Sequence, residues 1–180
     1  VEIGLEQGSG TILEAMRDMT AEQLKRCEEI LHKHEKRAVD ESRLNPGAKE
    51  TLDDLATRGI KLGILTRNRR DNALAVLQKH GLEFDVVLGR EDGPVKPEAH
   101  GVLRICREFG VDPAEAMVVG DFVYDLRSAA AAGAVGVLLA NHKRAEEFAS
   151  EADFVIERID QIPGIIDKQA LLEQNRPNND

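Results

Sequence analysis

The chain has 180 residues, of which 42% are hydrophobic and 32% charged, proportions typical of one soluble globular domain or of a domain with a small insert. Its net charge of −9 and the lack of a basic stripe argue against nucleic acid or an anionic membrane as a partner. No apolar run approaches the roughly 20 residues that cross a bilayer, and the start VEIGLEQGSG lacks the layout of a signal peptide, so we expect a cytoplasmic protein.

Residues 11 to about 43 have a helical pattern throughout. Thr20 followed by Gln23 is a capping-box pattern, and apolar residues recur after it at helical spacing with charged residues on the other face. The two cysteines, Cys27 and Cys106, fall in helix-like segments without the CxxC or Cys/His spacing of a metal site. A disulfide framework and a zinc site are therefore not expected.

From Asn45 onward strands and helices alternate. Asn45 followed by Pro46 predicts a helix start, with a cap and then proline in the first turn. Strands are predicted at residues 60–66, 84–90, 116–121, 134–140 and 153–157. Helices that precede the first four strands in turn, or lie between them, are predicted to end at Gly59, Gly81, Gly110 and Gly133. Two further helices are predicted, one at 143–150 and a last one from near Asp160. Several strands are apolar without alternation, which predicts a parallel sheet covered on both faces.

Polar side chains follow three of these strands. Thr66 ends the first, Lys96 lies in the loop after the second, and Asp121 ends the third with Asp125 four residues later. Ligands of open α/β sheets bind beyond the carboxyl ends of the strands, so these groups should meet at one edge. Carboxylates that hold Mg²⁺, beside a Lys and a Thr that hold phosphate oxygens, suit a phosphoryl group.

Each of these residues also has an ordinary structural interpretation. Thr66 alone could cap a helix, Lys96 could be a solvated loop residue, and Asp121 and Asp125 could serve the start of the next helix. The order of the residues along successive strand ends favours the site. The histidines have no spacing typical of metal ligands, and we interpret them as surface or structural: His32, His34, His80, His100 and His142.

The segments ILTRN, VKPEAH and VVGDFVYDLRSAAAAG resemble the second, third and fourth motifs of the haloacid dehalogenase superfamily. They are similar in particular to its phosphoglycolate-phosphatase-like branch, over about residues 45–160, and the fourth motif is the most specific. The resemblance implies an α/β fold, a three-layer Rossmann-like parallel sheet at 45–180. Residues 1–44 would be a small α-helical cap inserted after the first strand and closing over the substrate.

The resemblance also implies roles for the motif residues. Thr66 would hydrogen-bond the transferring phosphate, with Arg67 and Asn68 in the same substrate pocket, and Lys96 would neutralise the phosphate and the nucleophile.

The fourth motif would supply the metal site. Asp121 would bind Mg²⁺, and Asp125 would hold it directly or through water. The GDxxxD form favours phosphoryl transfer over dehalogenation, which needs no Mg²⁺.

The first motif of the superfamily, DxDx(T/V), is absent in its usual form. Its first Asp is the nucleophile and its second the general acid/base. The nearest match, EQGSGT, places Gln7 and Ser9 at those positions, and neither could do this chemistry.

In the superfamily the first strand lies between the strands that here end at Thr66 and Asp121. Leaving out about five buried side chains would forfeit about 7–15 kcal/mol, as much as the whole stability of a typical domain. We therefore expect that roughly 20–30 residues with this strand precede Val1; the alternative is evolutionary loss.

The sequence thus predicts a Mg²⁺-dependent phosphatase that acts on a small phosphorylated metabolite through an aspartyl-phosphate. Two alternatives remain: a non-catalytic module that binds phosphate and Mg²⁺, and a sugar-phosphate mutase, which shares the same core. The substrate and the oligomeric state are not specified by the sequence.

Overall fold

The computed structural model describes residues 15, 16 and 19–174. The helices are α1 (Ala21–Glu41), α2 (Ala48–Thr57), α3 (Arg70–His80), α4 (His100–Phe109), α5 (Val123–Ala132) and α6 (Ile162–Gln174). The strands are β1 (Gly63–Leu65), β2 (Val86–Leu88), β3 (Met117–Gly120), β4 (Val135–Leu139) and β5 (Phe154–Ile156). Short 3₁₀ helices lie at Arg90–Asp92, Pro113–Glu115, Ala145–Glu151 and Ile159–Gln161.

The contacts divide the chain into two compact units, with the boundary in the sequence between Ser42 and Arg43. In the first unit, α1 begins with the predicted capping box: the Gln23 amide donates to Thr20 Oγ1 at 3.3 Å, and the Thr20 amide donates to Gln23 Oε1 at 2.9 Å. The prediction of continuous helix from residue 11 is wrong at Met19 and Thr20, because the extended backbone of Thr20 is what allows it to cap α1. Residues 11–14 and the Gln7–Thr11 segment lie outside the described residues.

The strands of the second unit are parallel, as predicted. β1 pairs with β2, and β3, β4 and β5 form a second sheet in that order. Within residues 19–174, β1 and β3 do not pair with each other. The two sheets nevertheless share apolar clusters. Leu65 and Val118 pack against one cluster, and Leu62 and Val119 against another.

Several elements differ from the sequence prediction in their bounds or in their type. The Asn45–Pro46 start is wrong, because the Asn45 carbonyl accepts from the Ala48 amide at 3.0 Å and closes a turn, so that Gly47 precedes α2 instead. The predicted helix at 143–150 is a 3₁₀ helix, Ala145–Glu151. The strands are shorter than their apolar runs. The ends of α3, α4 and α5 at glycine are confirmed.

No helix in the described part of the chain is long and apolar enough to cross a membrane. A surface depression of about 300 Å³ lies at the opposite end of β1 from Thr66 and is lined by residues such as Ile60, Leu62 and Phe84. It therefore lies away from the strand ends at which the sequence predicts a site.

Asp85 fixes the start of β2 against the residue that precedes β1. Its carboxylate accepts from the Leu62 amide at 2.8 Å, and its own amide donates to the Leu62 carbonyl at 2.8 Å. The hydrogen bond from Leu62 lowers the pKa of the Asp85 carboxyl. Asp153 makes the same pair of contacts with Gly136 before β5. At each of these two places, one aspartate side chain helps to set the register of neighbouring strands.

We expect Asp85→Ala to lower the free energy of unfolding by no more than about 1 kcal/mol, because water competes at this exposed carboxylate. Since folding lowers this pKa, the contribution is present at neutral pH and is lost as the pH falls through the folded pKa. Urea unfolding at pH 7 and at about pH 3, below the ordinary pKa of an aspartate, checks both points, with the exposed neighbour Glu83→Ala as the control. The prediction would be contradicted if the difference in unfolding free energy between wild type and Asp85→Ala became larger at the lower pH.

Candidate active site

Thr66 follows β1 at the carboxyl edge of its sheet. Its amide donates to the Leu88 carbonyl of β2 at 3.0 Å, which continues the β1–β2 ladder by one residue. Its hydroxyl oxygen accepts from the Asn68 amide at 3.0 Å, which leaves the hydroxyl proton to be donated elsewhere. The half-buried hydroxyl is thus fixed at the start of the loop that leads to α3.

The side chain of Asn68 is used within that loop. Its Oδ1 accepts from the Arg69 amide at 2.7 Å and from Asn72 Nδ2 at 2.9 Å, and its backbone carbonyl accepts from the Arg90 amide at 2.9 Å. Asn68 therefore shapes the loop that presents Thr66.

Arg67 connects two of the predicted motifs. Its guanidinium carbon lies 4.4 Å from the ring centroid of Tyr124, in the first turn of α5. This cation–π contact brings the loop after β1 beside the segment that carries Asp125. The sequence motifs did not predict the contact.

Lys96 and Asp125 form a buried ion pair. Lys96 Nζ lies 2.5 Å from Asp125 Oδ1, and the two side chains are only 14% and 11% exposed. Asp125 Oδ2 accepts from the Phe122 amide at 3.1 Å. The Lys96–Pro97 peptide bond is cis. Both carboxylate oxygens of Asp125 therefore have a partner, and the structure brings together residues that are 29 positions apart in the chain.

Gly120 provides the space for the Asp125 carboxylate. A Cβ atom built on Gly120 would collide with the carboxyl group of Asp125. Glycine is therefore required at position 120, because the Asp125 side chain on α5 occupies the space that a larger residue would need. The sequence had indicated only the end of an apolar run.

Asp121 is exposed at the end of β3, and its backbone carbonyl accepts from His142 Nε2 at 2.6 Å. In the part of the chain that the structure describes, the Asp121 carboxylate makes no hydrogen bond or ion pair. The spacing between the histidines gives no indication of a role for His142. The signal was its position, three residues after β4, at the same edge of the sheet.

The carboxylates at this edge fit Mg²⁺ chemically. Mg²⁺ in phosphoryl-transfer sites is commonly held by one or two carboxylates together with water and substrate phosphate, and Asp121 and Asp125 supply two carboxylates. Among residues 19–174 no group of three or more His, Cys, Asp or Glu side chains is placed to hold a metal ion.

The described cysteines do not supply a nucleophile. Cys27 and Cys106 are each only 2% exposed, and burial raises the pKa of the Cys106 thiol. A buried thiol that stays protonated is unreactive. Any covalent chemistry at this edge therefore needs a nucleophile other than these two side chains.

Comparison with known proteins identifies several similar chains. The model of the haloacid dehalogenase-like hydrolase family matches residues 4–133. A haloacid dehalogenase-like hydrolase domain-containing protein of Arabidopsis thaliana is 31% identical over 96% of this chain and 71% of its own length. Pyrophosphatase PpaX of Bacillus pumilus is 35% identical over 65% of this chain and 56% of its own length.

A crystal structure of a predicted phosphoglycolate phosphatase from Haemophilus somnus has a TM-score of 0.71 and 25% identity, and covers 85% of this chain and 71% of that one. Parts of these proteins therefore have no counterpart in the 180 residues. The strand-end residues Thr66, Lys96, Asp121 and Asp125 lie within residues 4–133, which the family model matches.

Proposed function

The chain belongs to the haloacid dehalogenase-like hydrolases, and from this we propose that it is a cytoplasmic, Mg²⁺-dependent phosphatase of a small phosphorylated metabolite. The observation that carries the proposal is the buried Lys96–Asp125 pair beside Asp121, at the edge where Thr66 follows β1. Relatives named as a pyrophosphatase and a predicted phosphoglycolate phosphatase support hydrolysis of a phosphate group.

In this proposal the phosphate lies between Thr66 and Lys96. The Thr66 hydroxyl donates to a phosphate oxygen, and the Lys96 ammonium balances the negative charge of the phosphate and of the attacking carboxylate. Arg67 contacts the substrate beside Tyr124, and Asn68 holds the loop that positions Thr66. Asp125 keeps the Lys96 ammonium in place through their 2.5 Å contact.

Asp121 and Asp125 would hold Mg²⁺, which when bound offsets the charge of the phosphate oxygens. The nucleophile is an aspartate upstream of Val1, on a strand that lies between β1 and β3. Support comes from the lack of pairing between β1 and β3 among the described residues. The aspartate attacks phosphorus, the alcohol or phosphate leaving group departs, and water then cleaves the aspartyl-phosphate. We also propose that residues 1–44 belong to the helical cap domain.

The test is hydrolysis of an aryl phosphate by the full-length protein with and without Mg²⁺. We expect Mg²⁺-dependent phosphate release, and a loss of kcat/KM of about 10²–10³ in Asp121→Asn. Asp53→Asn, an exposed carboxylate on α2, is the control that should change the rate less than about twofold.

Three outcomes would overturn the proposal. Unchanged turnover in Asp121→Asn would refute the metal assignment. Conversion of a sugar phosphate to its isomer without release of phosphate would identify a mutase. Binding of phosphate and Mg²⁺ with no turnover of any phosphate ester would identify a regulatory module.

A further inference from the structure

His142 uses both ring nitrogens next to the proposed metal residue. Nε2 lies 2.6 Å from the Asp121 carbonyl oxygen, and Nδ1 lies 3.2 Å from the Arg144 amide nitrogen. A carbonyl can only accept and a backbone amide can only donate. The imidazole therefore carries its proton on Nε2 and donates it to Asp121.

The same loop after β4 also holds the residue that follows Asp121. The ring of Phe122 packs edge-on against Phe148, with centroids 5.0 Å apart. The Arg144 guanidinium lies 5.8 Å from both rings. The 142–148 segment thus contacts two successive residues after β3. It binds Asp121 through the backbone carbonyl and Phe122 through the aromatic side chain.

The backbone at Asp121 needs such support. The β3–β4 ladder ends at the Gly120–Leu138 pair, so Asp121 lies beyond the last strand pairing, on exposed chain. The hydrogen bond from His142 fixes the peptide group that follows Asp121, and with it the direction in which the Asp121 side chain leaves the backbone. Groups that orient a ligand residue in this way typically change metal affinity by about 10–100-fold.

We propose that His142 is a positioning residue, which orients the Asp121 carboxylate toward Mg²⁺ by donating from Nε2 to the Asp121 carbonyl. This inference rests on the proposed function, in which Asp121 holds the metal. It assigns a role to a histidine that does not itself bind substrate or metal.

A purely local role for His142 would use its other nitrogen. Nδ1 accepts from the Arg144 amide, and the His142 carbonyl accepts from the Ala145 amide at 3.0 Å, so the residue also helps to start the 3₁₀ helix Ala145–Glu151. Two substitutions separate the roles. His142→Asn places an acceptor near the position of Nδ1, whereas His142→Gln places a donor near the position of Nε2.

The experiment measures Mg²⁺ affinity by titration calorimetry and the melting temperature of the full-length protein without metal. The variants are His142→Ala, His142→Asn and His142→Gln, with Asp121→Asn as the reference that removes the ligand. We expect Mg²⁺ binding to weaken about tenfold in the Ala and Asn variants and to stay within about threefold in the Gln variant. The Asn variant should melt at a higher temperature than the Ala variant.

Wild-type Mg²⁺ affinity in His142→Asn, with affinity lost in Asp121→Asn, would overturn the positioning role and leave the proposed function standing. Equally weak binding in the Gln and Asn variants would also overturn it, because the donor would then be irrelevant. Equal Mg²⁺ affinity in the wild type and Asp121→Asn would overturn the metal assignment and this inference together.

Discussion

Replacement of Lys96 by methionine is expected to lower kcat/KM for an aryl phosphate by about 10²–10³-fold. The methionine keeps much of the apolar stem of the lysine but removes the ammonium that lies 2.5 Å from Asp125. The substitution should also lower the free energy of unfolding by about 3 kcal/mol, because the Asp125 carboxylate, only 11% exposed, loses its counter-charge.

The double variant Lys96→Met/Asp125→Asn separates the two effects. The Asn keeps an acceptor for the Phe122 amide and carries no charge, so most of the lost stability should return. Activity should not return, because the ammonium is still absent and Asp125, a proposed Mg²⁺ ligand, has lost its charge. Stability is measured by urea unfolding and activity by phosphate release. Recovery of activity along with stability would show that Lys96 has only a structural role.

Gly120→Ala is expected to have the second largest effect. The new methyl group would occupy the position of the Asp125 carboxyl group, so that carboxylate must move away from Lys96. We expect a loss of about 1–3 kcal/mol in the free energy of unfolding and a loss of about 10²-fold in kcat/KM, since a displacement of about 1 Å at a reacting centre has that cost.

Gly136→Ala on β4 is the matched control for this substitution. A Cβ atom there would lie 3.5 Å from its nearest neighbours, Ala129 and Leu126, which is ordinary van der Waals contact. It should change activity less than about twofold and stability only slightly. A Gly120→Ala protein with wild-type kcat/KM would contradict the argument that Asp125 needs this space.

Features of the fold that depend on local sequence were predictable. Apolar runs located the strands, and their parallel pairing followed from the helices between them. Glycines at 81, 110 and 133 end helices because the left-handed backbone there favours glycine, and the sequence displays them directly. The Thr20–Gln23 capping box is equally local.

Features that depend on contacts distant in sequence were not predictable. The motifs placed Lys96 and Asp125 at one edge, but not in a direct ion pair, and they gave no reason for the glycine at 120. The start of α2 was mistaken because a backbone hydrogen bond to Asn45 competes with its capping side chain. His142 was overlooked because its partner is a backbone carbonyl 21 residues away, which no side-chain pattern records.

The contact between Arg67 and Tyr124 has a practical consequence for spectroscopy. Tyr124 is the single tyrosine of these 180 residues, and they contain no tryptophan. Near-ultraviolet fluorescence of this chain therefore comes from one phenol ring, 4.4 Å from a guanidinium that follows Thr66. Any anion that draws Arg67 from the ring should change that emission. Tyrosine emission can therefore report anion binding near Arg67 without an added label.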